Sequence, residues 1–442
     1  MQETPRKELS LLDSTCLIVG IIIGVGIYQM APAIAKGAGG GWGVMGLWLA
    51  GGLISLCGAL GYAELASAYP REGGDYVYLS RAYGRWAGFL FGWIQLAIVR
   101  PGDIAVVAFA FATYGGVLYD PLPEGGRALT QRLYACAAVV VLTAINIIGV
   151  KAGKWTQNIL TILKALGLLA IVGVALAAPP GRAAAVPVEP LPWSLALIFV
   201  LFTFGGWNEM AYVAGEVKNP GRNILRALVL GTAAVTGLYL LVNGAFLYTL
   251  GYRGLAGAEA VAADSIATVF PETGGRLISA LVCVSALGAV NGLVFTGARI
   301  SYAVGAEHRA FRALGQWHPR TGTPLRALLV QGAIAVTLIL VLGSFVEAVL
   351  YTAAPVYLFF VATSAALIVL RFKDRGVERP YRVTAYPVPV ILFAAVCGFL
   401  IYSAVTYKPW ISAAAGGILL LGLPLYWLTS RRDKRAAPAG GP

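Results

Sequence analysis

The sequence predicts an all-α integral membrane protein on three observations. Of the 442 residues, 58% are hydrophobic and 12% charged, with a mean hydropathy of +0.76; that excess of apolar surface must face lipid. Apolar runs of about 20 residues, enough for a helix to cross about 30 Å of hydrocarbon, recur about twelve times. The runs are uniformly apolar and do not alternate with period two, which favours a helical bundle over an outer-membrane barrel.

The elements follow in order. Residues 1–11 are a polar N-terminal segment, and the first span is expected over 12–35, interrupted by Gly20-Ile-Ile-Ile-Gly24-Val25-Gly26. The second span, 43–69, carries Glu64 near its end, and the third, 85–118, carries Arg100 and Asp103 one turn apart, an arrangement expected to be mutually neutralising. The fourth is 132–150. The fifth, 155–178, places Lys164 roughly 13 Å deep at 1.5 Å per residue. The sixth, 192–216, is interrupted at Phe202-Thr203-Phe-Gly205-Gly206-Trp207-Asn208, with Glu209 next and Glu216 at its end. Spans seven to ten are 225–250, 276–304, 324–344 and 347–371. Two more, 386–406 and 410–428, follow the loop Glu378 to Arg382, and a basic, disordered tail occupies 429–442.

Positive charge sets the orientation, because Lys and Arg in short loops stay on the cytoplasmic side. One set of alternate loops holds most of it, from Arg6 and Lys7 through Arg71, Lys151, Lys218, Arg222 and Arg320 to Arg371, Lys373 and the tail. Both termini are therefore expected in the cytoplasm, in agreement with an even number of spans. The net charge of +13 is spread over these loops, so topology accounts for it and nucleic acid is not expected as a partner.

Residues 12–178 and 192–371 each contain five expected spans. An odd number per half makes the second half enter from the opposite face, an inverted repeat with its axis in the membrane plane. Each half opens on a glycine-interrupted helix. Glycine in an apolar helix costs backbone entropy and loosens the hydrogen-bond ladder, and paired breaks at repeat-equivalent places point to a midplane substrate site.

At that site Gly24, Val25 and Gly26 free N–H groups where a half-helix begins, a place that attracts a carboxylate. The carbonyls of Ile22, Phe202, Thr203 and Gly205 are candidate acceptors for an ammonium, so the pair of breaks suits an α-amino acid. Lys164 has three readings: a tether between helices, a titrating group, or a cation standing in for bound sodium. Glu209 pairs with Lys164 or Arg100, faces a cationic substrate group, or lines a wet cavity, and pairing ranks first. Basic loop partners are expected for Glu64 and Glu216.

Several classes are excluded. There is no GxxxxGK phosphate loop, nucleophile elbow or metal-ligand cluster, so the chain is not expected to be an enzyme and needs no cofactor. Transport without a nucleotide site must be secondary. The five cysteines (16, 57, 136, 283 and 397) lie in apolar spans and read as packing residues. The only histidines, His308 and His318, share one interhelical stretch, which excludes a histidine relay in the membrane.

Several stretches resemble the L-type amino acid transporter family of the amino acid, polyamine and organocation superfamily. They are Ile22-Ile-Gly-Val-Gly-Ile-Tyr28, Cys57 to Leu65 with Tyr69-Pro-Arg-Glu-Gly-Gly-Asp-Tyr-Val-Tyr78, Arg100-Pro101, Phe204-Gly-Gly-Trp-Asn208 with Lys218-Asn-Pro220, Gly288 to Gly292 and His318-Pro-Arg320. The resemblance covers about residues 10 to 390. It implies a LeuT-like fold and a sodium-independent exchanger of neutral amino acids working by alternating access in the inner (plasma) membrane. A proton-coupled or cationic amino acid permease is the alternative. Under the resemblance Val25 and Gly26 match the carboxylate-binding turn, and Ile22, Phe202, Thr203 and Gly205 match the amino-binding carbonyls. Phe202 matches an aromatic gate, Asn208 a polar residue near the pocket, and Lys164 an internal replacement for sodium.

Two positions depart from the family pattern: Val25 stands where many relatives carry a hydroxyl, and Glu209 where they carry an aromatic or neutral residue. Animal members join a heavy subunit through a cysteine between their third and fourth helices. The corresponding loop here, Leu118 to Gly126, has none, so a stand-alone carrier is expected.

Overall fold

The computed structural model describes residues 7–121, 126–178, 189–258, 261–308, 311–341, 345–407 and 409–435. Parts of the expected N-terminal segment, of the loop 118–126 and of the tail 429–442 lie outside these residues.

The first helix, α1 (Leu11–Ile22), starts at a capping box in which Ser10 and Asp13 satisfy each other's backbone N–H groups. It stops at the first glycine break, and the chain resumes as α2 (Gly26–Gln29) and α3 (Ala31–Ala38). Next come α4 (Gly41–Ala68), the short α5 (Asp75–Tyr83) and α6 (Arg85–Ile94). A π-helical turn, Gln95–Val99, joins α6 to α7 (Arg100–Leu118). Pro101 accounts for that turn: it has no N–H and its ring crowds the carbonyl four residues back, so the helix widens by one residue to pass it.

Then follow α8 (Arg127–Ile148), α9 (Val150–Ala177) and α10 (Trp193–Thr203), which ends at the second break. Beyond it lie α11 (Glu209–Tyr212), α12 (Pro220–Gly257, with a non-helical residue at Gly251), α13 (Val261–Ala267) and α14 (Gly274–Glu307). The last four are α15 (Leu325–Val341), α16 (Phe345–Lys373), α17 (Val388–Tyr407) and α18 (Pro409–Arg435).

Ten helices among the described residues are long and apolar enough to cross a membrane, and two shorter apolar ones occupy Trp193–Thr203 and Leu325–Leu340. Every expected span therefore has a helix in its place. The sixth is shorter than expected because the residues after Thr203 leave the helix. Large apolar side chains such as Leu49, Leu163, Leu169 and Leu421 are exposed along the bundle, with Trp42, Trp193 and Trp410 among them, the surface of a protein solvated by lipid. The chain is a multi-pass membrane protein.

Helix α1 sits at the centre, against α9, α12 and α14. In the interior Asn291 takes a hydrogen bond from Asn146 and donates to Gln157, both at 2.9 Å, polar side chains joining helices where lipid offers no partner. Cys16, Cys283 and Cys397 are buried, and all five cysteines are free thiols within helices.

Candidate functional site

The two breaks touch. A Cβ added to Gly26 would lie 2.9 Å from the Thr203 hydroxyl, and one added to Gly206, whose φ is 114°, would lie 2.6 Å from Ile21. Only glycine allows both the approach and the left-handed turn.

A cavity of about 180 Å³ opens beside this contact. That is below the roughly 300–1,000 Å³ of pockets for drug-sized ligands, so the guest it fits is small. Ile22, Gly24, Val25 and Gly26 of the first break line it, as do Phe202, Thr203, Gly205, Asn208 and Glu209 of the second. Lys164 does not.

The backbone at the breaks differs in detail from the sequence expectation. The Ile22 carbonyl is not left open: it accepts from the Tyr239 hydroxyl at 2.8 Å and from Gly24 N–H at 2.7 Å. The Phe202 carbonyl accepts from Gly205 N–H at 2.9 Å, and the Thr203 carbonyl lies 3.4 Å from the same Tyr239 hydroxyl. A carbonyl has two lone pairs, so the Ile22 carbonyl is already fully used, whereas the Thr203 carbonyl keeps acceptor capacity. Among the described residues, the Gly205 carbonyl accepts no protein hydrogen bond and the Val25 and Gly26 N–H groups donate none to the backbone.

Lys164 lies behind the first break and is 0% exposed. Its ammonium donates to the carbonyls of Gly20 at 2.6 Å, Ile23 at 2.7 Å and Ser285 at 3.0 Å, and the Ser285 hydroxyl donates to the Ile23 and Gly24 carbonyls, both at 3.1 Å. Three donors meet three acceptors. Because the last carbonyls of a helix lack intrahelical partners and carry its negative end, a cation there fixes the end of α1 against α14.

Arg100 pairs with Glu209 at 2.6 Å, with side chains 5% and 4% exposed. This corrects the expected Arg100–Asp103 pair and selects Arg100 from the two expected partners of Glu209. A buried cross-helix contact outcompetes a same-helix pair whose acid lies on the C-terminal side, the weaker orientation.

Three further cavity residues, and one beside the cavity, were not singled out from the sequence. Asp75, at the start of α5, accepts from the hydroxyls of Tyr62, Thr363 and Tyr212, and Tyr212 in turn accepts from Asn208 at 2.9 Å. A carboxylate directly after Gly73-Gly74 was the available signal. Tyr212 and Gln95 also line the cavity; Tyr239 reaches its edge from within α12 through the Ile22 bond.

At one end of the bundle Glu216 takes two hydrogen bonds from Arg299, at 2.7 and 3.2 Å, both side chains 1% exposed. The partner is thus a helical arginine of α14 and not the expected loop residue. Leu9 N–H donates to the Glu216 carbonyl, and Lys218 N–H to that of Leu9, both at 2.9 Å, which ties the N-terminal segment to the same place. Glu64 meets Arg371 and Arg379, one at a helix end and one in a loop.

The comparisons with known proteins agree with this architecture. The amino acid permease family model matches residues 9–422. The serine/threonine exchanger SteT of Bacillus subtilis (strain 168) is 32% identical over 436 residues, 97% of this chain and 98% of that protein. The human b(0,+)-type amino acid transporter 1 is 30% identical over 96% of this chain and 88% of its own length. The human large neutral amino acids transporter small subunit 2 is 32% identical over 96% and 80%. A centre made of two touching helix breaks, inside a membrane bundle matched along nearly its whole length by amino acid transporters, leads to one conclusion: the chain belongs to the amino acid permease family, in its L-type amino acid transporter branch, and is an amino acid transporter and not an enzyme.

Proposed function

We propose that this protein exchanges neutral L-amino acids by alternating access without sodium. The observation that carries the reading is the small cavity lined by both helix breaks. In it the substrate carboxylate meets the Val25 and Gly26 N–H groups, and the ammonium meets first the carbonyls of Gly205 and Thr203; those of Phe202 and Ile22 serve it only by giving up a hydrogen bond they already accept. Phe202 serves as the gate over the bound substrate, and Gly24, Asn208 and Glu209 complete the wall. Sodium independence is supported by the Lys164 ammonium, which already holds three carbonyls between α1 and α14 and so does what a bound cation would do.

The reading includes twelve spans in a LeuT-like arrangement, with the two short apolar helices counted among them. Residues 12–178 and 192–371 form the inverted repeats, 386–428 two helices outside them, and both ends lie in the cytoplasm, in the inner (plasma) membrane. The cysteine-free stretch Leu118 to Gly126 supports a carrier without a disulfide-linked heavy subunit. Exchange agrees with the relative SteT, a serine/threonine exchanger. Asp103, a cavity-lining carboxylate outside the Arg100–Glu209 pair, favours a proton-coupled or cationic permease as second reading.

Uptake of labelled neutral amino acids into liposomes containing the purified protein tests the two. Stimulation by unlabelled amino acid inside, indifferent to sodium, is expected. Uptake into empty liposomes driven by a proton gradient would replace exchange with the coupled permease.

A further inference from the structure

Three buried polar atoms at the cavity have no hydrogen-bond partner among the described residues: Glu209 Oε2, Arg100 Nε and Gln95 Oε1. Their residues all line the cavity and are 3%, 4% and 5% exposed. A buried donor or acceptor without a partner costs about 1–3 kcal/mol, and such groups in a folded protein call for a missing partner. Elsewhere the wall carries the carboxylates of Asp75 and Asp103 and is otherwise largely apolar, with Val99, Val106 and Ile198. Asp75 is already supplied by three hydroxyls, and the backbone groups of the breaks suit the amino and carboxyl ends of a substrate.

The unpartnered set contains two acceptors and one donor. It is contributed by an ion pair whose charges cancel and by a neutral amide, and the guanidinium of Arg100 opposes a second cation beside it. A side chain that both donates and accepts is the complement, namely a hydroxyl or a carboxamide. The geometry points to Gln95, Arg100 and Glu209 as the wall that reads the substrate side chain and selects neutral hydroxyl- or amide-bearing amino acids over aliphatic ones. This inference rests on the exchanger reading for its site and adds the substrate class. Binding cost makes the selection strong: an isostere without the polar group leaves buried atoms unpaired, whereas a purely aliphatic pocket discriminates weakly against an added hydroxyl.

Isosteric pairs test it on the purified full-length protein, by equilibrium binding and by exchange in liposomes. Threonine is expected to bind at least tenfold more tightly than valine, or asparagine than leucine, and the two pairs separate the hydroxyl from the amide source. Gln95→Leu and Gln95→Met are each expected to weaken the favoured polar ligand at least threefold more than its aliphatic isostere; an equal loss of both would assign Gln95 a structural role and overturn its part. Equal or tighter binding of valine and leucine by the wild type overturns the whole inference, with exchange left standing. Lysine binding more tightly than norleucine also overturns it, in favour of a carboxylate reading a cation. Polar preference in binding without any exchange keeps the inference and removes the exchanger reading.

Discussion

The Tyr239 hydroxyl donates to the Ile22 carbonyl across 2.8 Å, joining residues 217 positions apart in sequence. Because the same hydroxyl lies 3.4 Å from the Thr203 carbonyl, one side chain of α12 steadies both helix breaks. Its ring is held separately, against Trp48 and Phe204 at 5.3 and 5.2 Å. Tyr239→Phe is therefore expected to keep the fold and weaken substrate binding about fivefold, the equivalent of one neutral hydrogen bond of about 1 kcal/mol. Calorimetric binding with the preferred amino acid reads the change, and an unaltered affinity would remove Tyr239 from the site's support.

Lys164 offers a sharper test, since its ammonium satisfies the Gly20, Ile23 and Ser285 carbonyls at once. Lys164→Ala leaves all three without that donor and frees the end of α1 from α14. Exchange is expected to fall at least tenfold while the variant still purifies as a single monodisperse species. Arginine should not rescue it, because a planar guanidinium fork does not address three acceptors gathered around a point. Wild-type exchange in Lys164→Ala would sink the sodium-surrogate role.

Glu72, in the connection between α4 and α5 and so outside the spans, gives a pH prediction. Burial above all, then repulsion from Glu216, raises its carboxyl to about 6 from 4.5, against the opposing pull of Arg299 and Arg71. One of its oxygens is buried without a partner. The folded state therefore holds the proton more tightly than the unfolded chain does. The resulting stabilisation is complete below about pH 4.5 and is lost as pH rises through 6, an effect of about 2 kcal/mol. Between pH 5 and 7 the apparent Tm of the wild type should fall relative to that of Glu72→Gln; parallel curves would show that Glu72 keeps an ordinary carboxyl.

The candidate site is legible in the sequence where backbone chemistry dictates it. Gly24, Gly26, Gly205 and Gly206 mark breaks because no other residue both loosens an apolar helix and permits close contact, and Lys164 stands out because a charge in such a helix needs a reason. Tyr239, Gln95 and Tyr212 gave no such sign, since their importance lies in what other helices bring to them. Arg100 shows the limit of local reasoning: Asp103 is near in sequence, but Glu209, from the second break, is the partner at 2.6 Å. The expected span 192–216 is longer than the helix found there, Trp193–Thr203, because hydropathy continues through Phe204 and Trp207 where the hydrogen-bond ladder does not.

Glu64 carries the clearest stability prediction. It is 0% exposed and accepts from Arg371 Nε at 2.9 Å, Arg379 Nη1 at 3.2 Å and Val383 N–H at 2.7 Å, so one carboxylate of α4 pins the segment linking α16 to α17. Glu64→Ala removes all of these and strands Arg379, whose side chain is 6% exposed, without its ion-pair partner. Breaking a buried pair from one side costs about 3–5 kcal/mol. Arg371→Ala leaves Glu64 paired with Arg379, and Arg371 itself is 21% exposed, so its cost should be less than half as large. Denaturation of both variants in detergent measures the difference; an equal loss would mean that Arg379 and Val383 contribute nothing to holding the carboxylate.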